Sequence, residues 1–160
     1  MMFEENVFTA HCSPLRAWTI LSDFEGYRLW HPEYAFGAPE TDNIRPLTWR
    51  FQERDFTFDA RIVASEKGQL VHWHSGMRHF ASLDETYRIM SHPSGVEIIH
   101  RMELAGIVGG LVGRSRRSWV RRSLQAKDAA FTRYLKKLRR HGPSSSGGPG
   151  RRPVRLQQRK

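Results

Sequence analysis

Two strand-like runs late in the chain each carry an ionisable residue on an otherwise apolar face. In the first, Leu83, Glu85, Tyr87 and Ile89 share one parity; in the second, Val96, Ile98, His100, Met102 and Leu104 do. A long helical stretch follows. At about 100° per residue, Val112, Arg116, Val120, Ser123, Lys127, Phe131, Tyr134 and Leu138 fall on one side of it. A buried polar group is costly unless it is paired or wet, so Glu85, His100, Arg116, Ser123 and Lys127 become candidates to meet a bound molecule. Arg116, with Lys127, suits an anionic or carbonyl group, and Glu85 and His100 suit a hydroxyl or keto group. The same set also allows acid/base chemistry. His100, with an ordinary pKa of about 6.5, is the natural base, and Glu85, Tyr87 or Arg116 would polarise a carbonyl. No motif demands catalysis. The plainer alternative is that Glu85 pairs with Arg116 across a wet cavity, or that a one-residue register shift places some of these groups outside.

The elements that must position these residues read as a strand, two short helices, a meander and a final helix. Phe8, Ala10 and Cys12 share a strand parity. Ser13-Pro14 supplies an N-cap and a first-turn proline, and Ala17, Trp18 and Leu21 recur at helical spacing. Asp23 and Gly26 punctuate that helix, and Trp30-His31-Pro32 closes the segment. Leu47, Trp49 and Phe51 alternate with polar neighbours, as do Phe56, Phe58, Ala60 and Ile62, and Val71 and Trp73 oppose His72 and His74. Lys67-Gly68 and His92-Pro93-Ser94-Gly95 mark turns. Strands that follow one another without helical crossovers are expected to pair antiparallel. Their inward parity predicts an aromatic, apolar wall of Trp49, Phe51, Phe56, Phe58, Val71, Trp73, Tyr87, Ile98 and Met102, with Trp119 at the edge of the helical stripe. Such a wall is either ligand-lining or simple core.

The run from Val7 to Tyr34, VFTAHCSPLRAWTILSDFEGYRLWHPEY, resembles the opening of the START-related SRPBCC superfamily, the polyketide cyclase/dehydrase-like proteins. These begin with a strand, a Pro-x-x-x-Trp helix, an Asp and a Trp-x-Pro. The glycine-rich link from Ala105 to Gly110 and the helix from about Gly113 to Arg140 are similar to the family's close, so the resemblance covers about residues 5 to 140. It implies an α+β helix-grip fold: a curved antiparallel sheet of six to seven strands wrapped around a long C-terminal helix, with two short helices after the first strand. It also implies a cavity between sheet and helix that binds a small hydrophobic molecule, whether lipid, isoprenoid, polyketide or other aromatic metabolite. Trp49, Phe58, Trp73, Glu85, Tyr87, His100, Met102, Arg116, Trp119 and Ser123 are the expected contacts. The alternative is an aromatase-type polyketide cyclase/dehydrase using His100 and Glu85.

Other chemistries find little footing. The one cysteine, Cys12, excludes an intrachain disulfide and a cysteine zinc cluster, and fits a reduced, cytoplasmic setting. His72 and His74 point to the outer face with no third ligand in view, so no metal is expected. No cofactor is expected either, because Gly-x-Gly-x-x-Gly and Walker loops are absent, and there is no Gly-x-Ser-x-Gly for a serine nucleophile. No run of apolar residues is long enough to span a membrane.

The net charge of +10 is unevenly spread. Residues 1–113 hold ten Lys/Arg against fifteen Asp/Glu, whereas residues 114–160 hold sixteen against the single Asp128. Gly142-Pro143 stops the final helix, which predicts a ligand-binding domain over 1–141 and a disordered basic tail over 142–160, whose Ser, Gly, Pro and Arg cannot bury enough surface to order it. The basic helix face and tail are either simply solvated or a dock for an anionic membrane, RNA or an acidic protein.

Overall fold

The computed structural model describes residues 2–51, 53–77, 81–106 and 116–140. The expected tail and residues 107–110 of the glycine-rich link lie outside the described residues. Seven strands form one antiparallel sheet: β1 (Met2–Ala10), β2 (Tyr34–Phe36), β3 (Ile44–Phe51), β4 (Arg54–Glu66), β5 (Leu70–Met77), β6 (Ala81–His92) and β7 (Gly95–Gly106). Their order across the sheet is β1-β7-β6-β5-β4-β3-β2. The chain therefore leaves β1 at one edge, crosses to β2 at the other, and returns strand by strand until β7 closes against β1.

The crossing is made by α1 (Pro14–Ser22) and a 3-10 helix (Glu25–Leu29). Ser13 caps α1 by accepting from the Arg16 N–H at 3.2 Å, and Pro14 sits where no N–H is needed. Asp23 then accepts from the Gly26 N–H at 3.1 Å, tightening the second turn. The second short helix is a 3-10 helix, held by i→i+3 bonds such as Tyr27 N–H to the Phe24 carbonyl at 3.2 Å and Trp30 N–H to the Tyr27 carbonyl at 3.0 Å.

The turns follow the sequence signals. Gly68 has φ 75° in the β4–β5 turn, and Pro93-Ser94 joins β6 to β7 with His92 paired to Gly95. At Gly95 a side chain would collide with the Ala10 carbonyl of β1, so only glycine lets the two strands meet there.

The long helix α2 (Arg116–Arg140) lies against β1 and β7. Val120, Leu124, Phe131 and Leu135 bury its inner side among Ile98, Met102, Tyr87 and Trp73. An aromatic cluster from the crossing segment completes the core: Phe24, Tyr27, Trp30 and Phe36 contact one another edge-on or stacked, and Trp30 meets Phe131 at 5.4 Å. The buried arc of α2 is wider than the stripe read from its sequence, because Leu124, Asp128 and Leu135 are also covered by the flanking β1.

Candidate functional site

Strand pleating brings the inward residues of β6 and β7 into register. Tyr87 pairs with His100, and Glu85 with Met102, so the expected inward parity of Glu85, Tyr87, His100 and Met102 is what the sheet adopts. The helix supplies Lys127 and Asp128 directly above them. Glu85 is the hub. One carboxylate oxygen accepts from the Tyr87 hydroxyl at 2.7 Å and the His100 Nε2 at 3.1 Å; the other accepts from the Lys127 ammonium at 2.8 Å. Lys127 also donates to the Tyr34 hydroxyl at 2.7 Å and meets the Met102 sulfur at 3.7 Å, which uses its three N–H bonds.

His100 is gripped from both sides. Its Nδ1 lies 2.7 Å from Asp128, which in turn accepts from the Asn6 amide of β1 at 2.6 Å. Its ring stacks on Tyr87 at 4.0 Å. Two carboxylates facing two ring nitrogens require both nitrogens to donate, so His100 is an imidazolium. Burial alone would lower its pKa, but the hydrogen bonds it donates to Asp128 and Glu85 overcome this and raise it. Burial likewise pushes Glu85 upward, and the Lys127 and His100 charges outweigh it, holding the carboxyl well below the usual range. Two cations and two anions thus neutralise one another. None of this is wet: Glu85 and His100 are fully buried, and Lys127 is 1% exposed.

A second polar station lies one turn earlier on α2. Ser123 donates to Glu33 at 2.8 Å, and Glu33 sits 3.9 Å from Lys127. Glu33 follows Pro32 and is held by the Arg50 N–H bonding its carbonyl at 2.8 Å. The preceding His31 accepts from the Glu33 and Tyr34 backbone N–H groups through Nδ1, at 3.2 and 2.9 Å, and stacks on Tyr34. Burial, reinforced by the Lys127 charge, drives its pKa well down, so the ring is neutral. Among the described residues its Nε2 has no acceptor, and neither do the buried indole N–H groups of Trp18, Trp30, Trp49 and Trp73.

A further turn toward the start of α2, Trp119 meets Trp49 at 6.0 Å and Phe51 at 5.4 Å. These three inward-facing aromatics are only partly buried, as is Phe58 on the neighbouring β4. Phe56, of the same parity and paired with Trp49 across β3 and β4, is 39% exposed.

The sequence-derived candidates therefore divide into two groups. Glu85, Tyr87, His100 and Met102 come together with Lys127 in a sealed centre, with Ser123 at its border; Trp73 is fully buried beside them against Tyr34 and Phe36. Trp49 and Trp119 gather with Phe51 at a half-open aromatic end, and Phe58 lies on the adjoining strand. Among the described residues Glu85 meets Lys127, and the expected Glu85–Arg116 pair lies outside them, because the Arg116 side chain is not described. Asp128, Glu33, Tyr34 and His31 escaped the sequence reading. Asp128 had one signal, as the lone acid in a basic helix. On the outer face, the Asp84 carboxylate lies 3.3 Å from His72 and 3.0 Å from His74, and among the described residues no group of three ligands is arranged to hold a metal.

No family model matches the chain, and no curated protein does. Solved structures do. A START superfamily protein from Mycobacterium smegmatis superposes with a TM-score of 0.68 at 17% identity, covering 85% of this chain and 98% of that one. The di-domain ARO/CYC StfQ from the steffimycin biosynthetic pathway gives 0.64 at 13%, covering 84% of this chain and 49% of that two-domain protein. A protein of unknown function from Staphylococcus aureus gives 0.69 at 6%, with 88% and 96% covered. The chain shares the helix-grip fold of these structures: α+β, with a seven-stranded antiparallel sheet and a long C-terminal helix.

Proposed function

We propose that this protein binds a small hydrophobic molecule whose apolar part lies against Trp49, Phe51, Trp119 and Phe58, at the start of α2. The observation that carries this reading is the contrast along one helix. Beneath Lys127 and Phe131 the inward face is sealed, whereas beneath Trp119 large aromatics on the same face are left partly uncovered. Aromatic surface on a concave inward face is what a bound apolar group would cover. The Trp49 Nε1 donor, buried and without an acceptor, suits a carbonyl or hydroxyl oxygen on that molecule. The Ser123–Glu33 pair offers a polar limit one turn deeper. The fold shared with a START superfamily protein and with an ARO/CYC protein is consistent with this use of the interior.

Binding fits the charge centre better than turnover does. His100 spends both nitrogens on carboxylates and has no lone pair to accept a substrate proton, so the residue best suited to serve as a base acts instead as a buried cation. Titration with 1-anilinonaphthalene-8-sulfonate, read by its fluorescence, tests the reading. Binding should weaken by at least about tenfold in Trp119→Ala and in Trp49→Ala, the loss of one well-buried aromatic contact. Unchanged affinity in both variants would refute it.

A further inference from the structure

We propose that the end of the molecule formed by the 3-10 helix and the last two turns of α2 docks on an anionic lipid bilayer. Leu29, the final residue of the 3-10 helix, is 64% exposed, more than any other large apolar residue described. It faces Tyr134 and Leu138 of α2 across a shallow hollow that Lys137 also lines. The exposed Leu29, with the half-buried Tyr134 and Leu138 beside it, makes a small apolar wedge at this corner.

Cations border this wedge on one side. At about 100° per residue, Lys136, Arg140, Arg133 and Lys137 occupy a continuous arc of about 100° beside the one that carries Tyr134 and Leu138. Arg28 stands exposed next to Leu29. The acids near this corner are engaged elsewhere: Glu25 of the 3-10 helix pairs with Arg45 at 3.4 Å, and Asp128 is turned inward to His100. From residue 129 to the end of α2 at Arg140 the helix has five Lys/Arg and no Asp or Glu.

The combination selects the partner. An apolar side chain and a tyrosine at the tip, with cations set back from it, match a bilayer's sequence of acyl boundary, interface and anionic headgroups. A phosphate backbone would use the cations and leave Leu29 with nothing to contact. Among the described residues no helix is long and apolar enough to cross a membrane, so attachment would be peripheral. This inference does not depend on the ligand reading.

The test is co-sedimentation of the full chain with extruded vesicles of phosphatidylcholine alone and of phosphatidylcholine with about 30% phosphatidylserine, in about 50 and 500 mM NaCl. Binding to the anionic vesicles alone, at least about tenfold weaker in high salt, is expected. Leu29→Ser, which changes no charge, should lower that binding by at least about threefold and leave the salt needed to elute the protein from heparin unchanged. Lys136→Glu/Arg140→Glu should lower both. Circular dichroism melting confirms that each variant is folded. No binding to the anionic vesicles overturns the proposal. Binding that Leu29→Ser does not change also overturns it, and marks the surface as a general polyanion contact of the kind an RNA would make.

Discussion

The Lys127 ammonium and the Glu85 carboxylate meet at 2.8 Å in the middle of the molecule, with neither side chain reaching solvent. Both charges have left water, and their attraction compensates only because Tyr34, Tyr87 and His100 satisfy the remaining hydrogen-bonding capacity. Removing one partner therefore strands the other. Lys127→Met should destabilise the fold by about 3–5 kcal/mol, and Glu85→Gln by a similar amount. The double variant should lose less than the sum of the two, which a denaturation cycle in urea would reveal.

The pH dependence of stability follows from the same centre. His100 is held above its ordinary value of 6.5 in the folded chain, so its contribution is full below pH 6.5 and is lost as pH rises through the folded value. Glu85 is held below its ordinary 4.5, so its contribution is full above that pH and is lost as pH falls through the folded value. Melting temperature against pH should therefore decline on the alkaline side, and His100→Asn should flatten that decline.

His31 contributes with the opposite sign to His100. Buried and neutral, it has a folded pKa well below 6.5, so its contribution is full above pH 6.5 and is lost progressively as pH falls below it. In a proton NMR titration the His31 ring should stay neutral at pH 6, where His100 is still charged. His31→Ala should cost about 1–3 kcal/mol, since the Glu33 and Tyr34 N–H groups lose their acceptor.

The two indole positions should respond differently to truncation. Trp73, fully buried between Tyr34 and Phe36, should cost about 3–5 kcal/mol on replacement by Ala. Trp119, partly exposed, should cost markedly less while abolishing binding of an apolar ligand. Paired thermal melts and ligand titrations distinguish these outcomes.

Strand parity was legible in the sequence because period-2 alternation has only two faces, and Glu85 and His100 stood out as charges on the apolar one. The capped first helix was equally legible, since Ser13-Pro14 signals locally. What the chain did not disclose was long-range. The union of Asp128 with His100 and Asn6 requires β1 to lie beside β7, a pairing of the first strand with the last that no local signal encodes. Glu33 reaches Ser123 only because the crossing segment returns under α2, about ninety residues later in the chain. Lys127 shared the helical stripe with Arg116, and its meeting with Glu85 depends on how the helix lies across β6, which no local signal encodes.

The proposed binding of a small hydrophobic molecule at Trp49, Phe51 and Trp119 is open to native mass spectrometry with organic extraction, on protein purified without detergent. That binding requires a defined apolar adduct on the unaltered chain, lost from Trp119→Ala and retained by Lys136→Glu. Protein that carries no adduct and is not stabilised by any of a broad panel of lipids and aromatic compounds, or an adduct kept in full by Trp119→Ala, would contradict it.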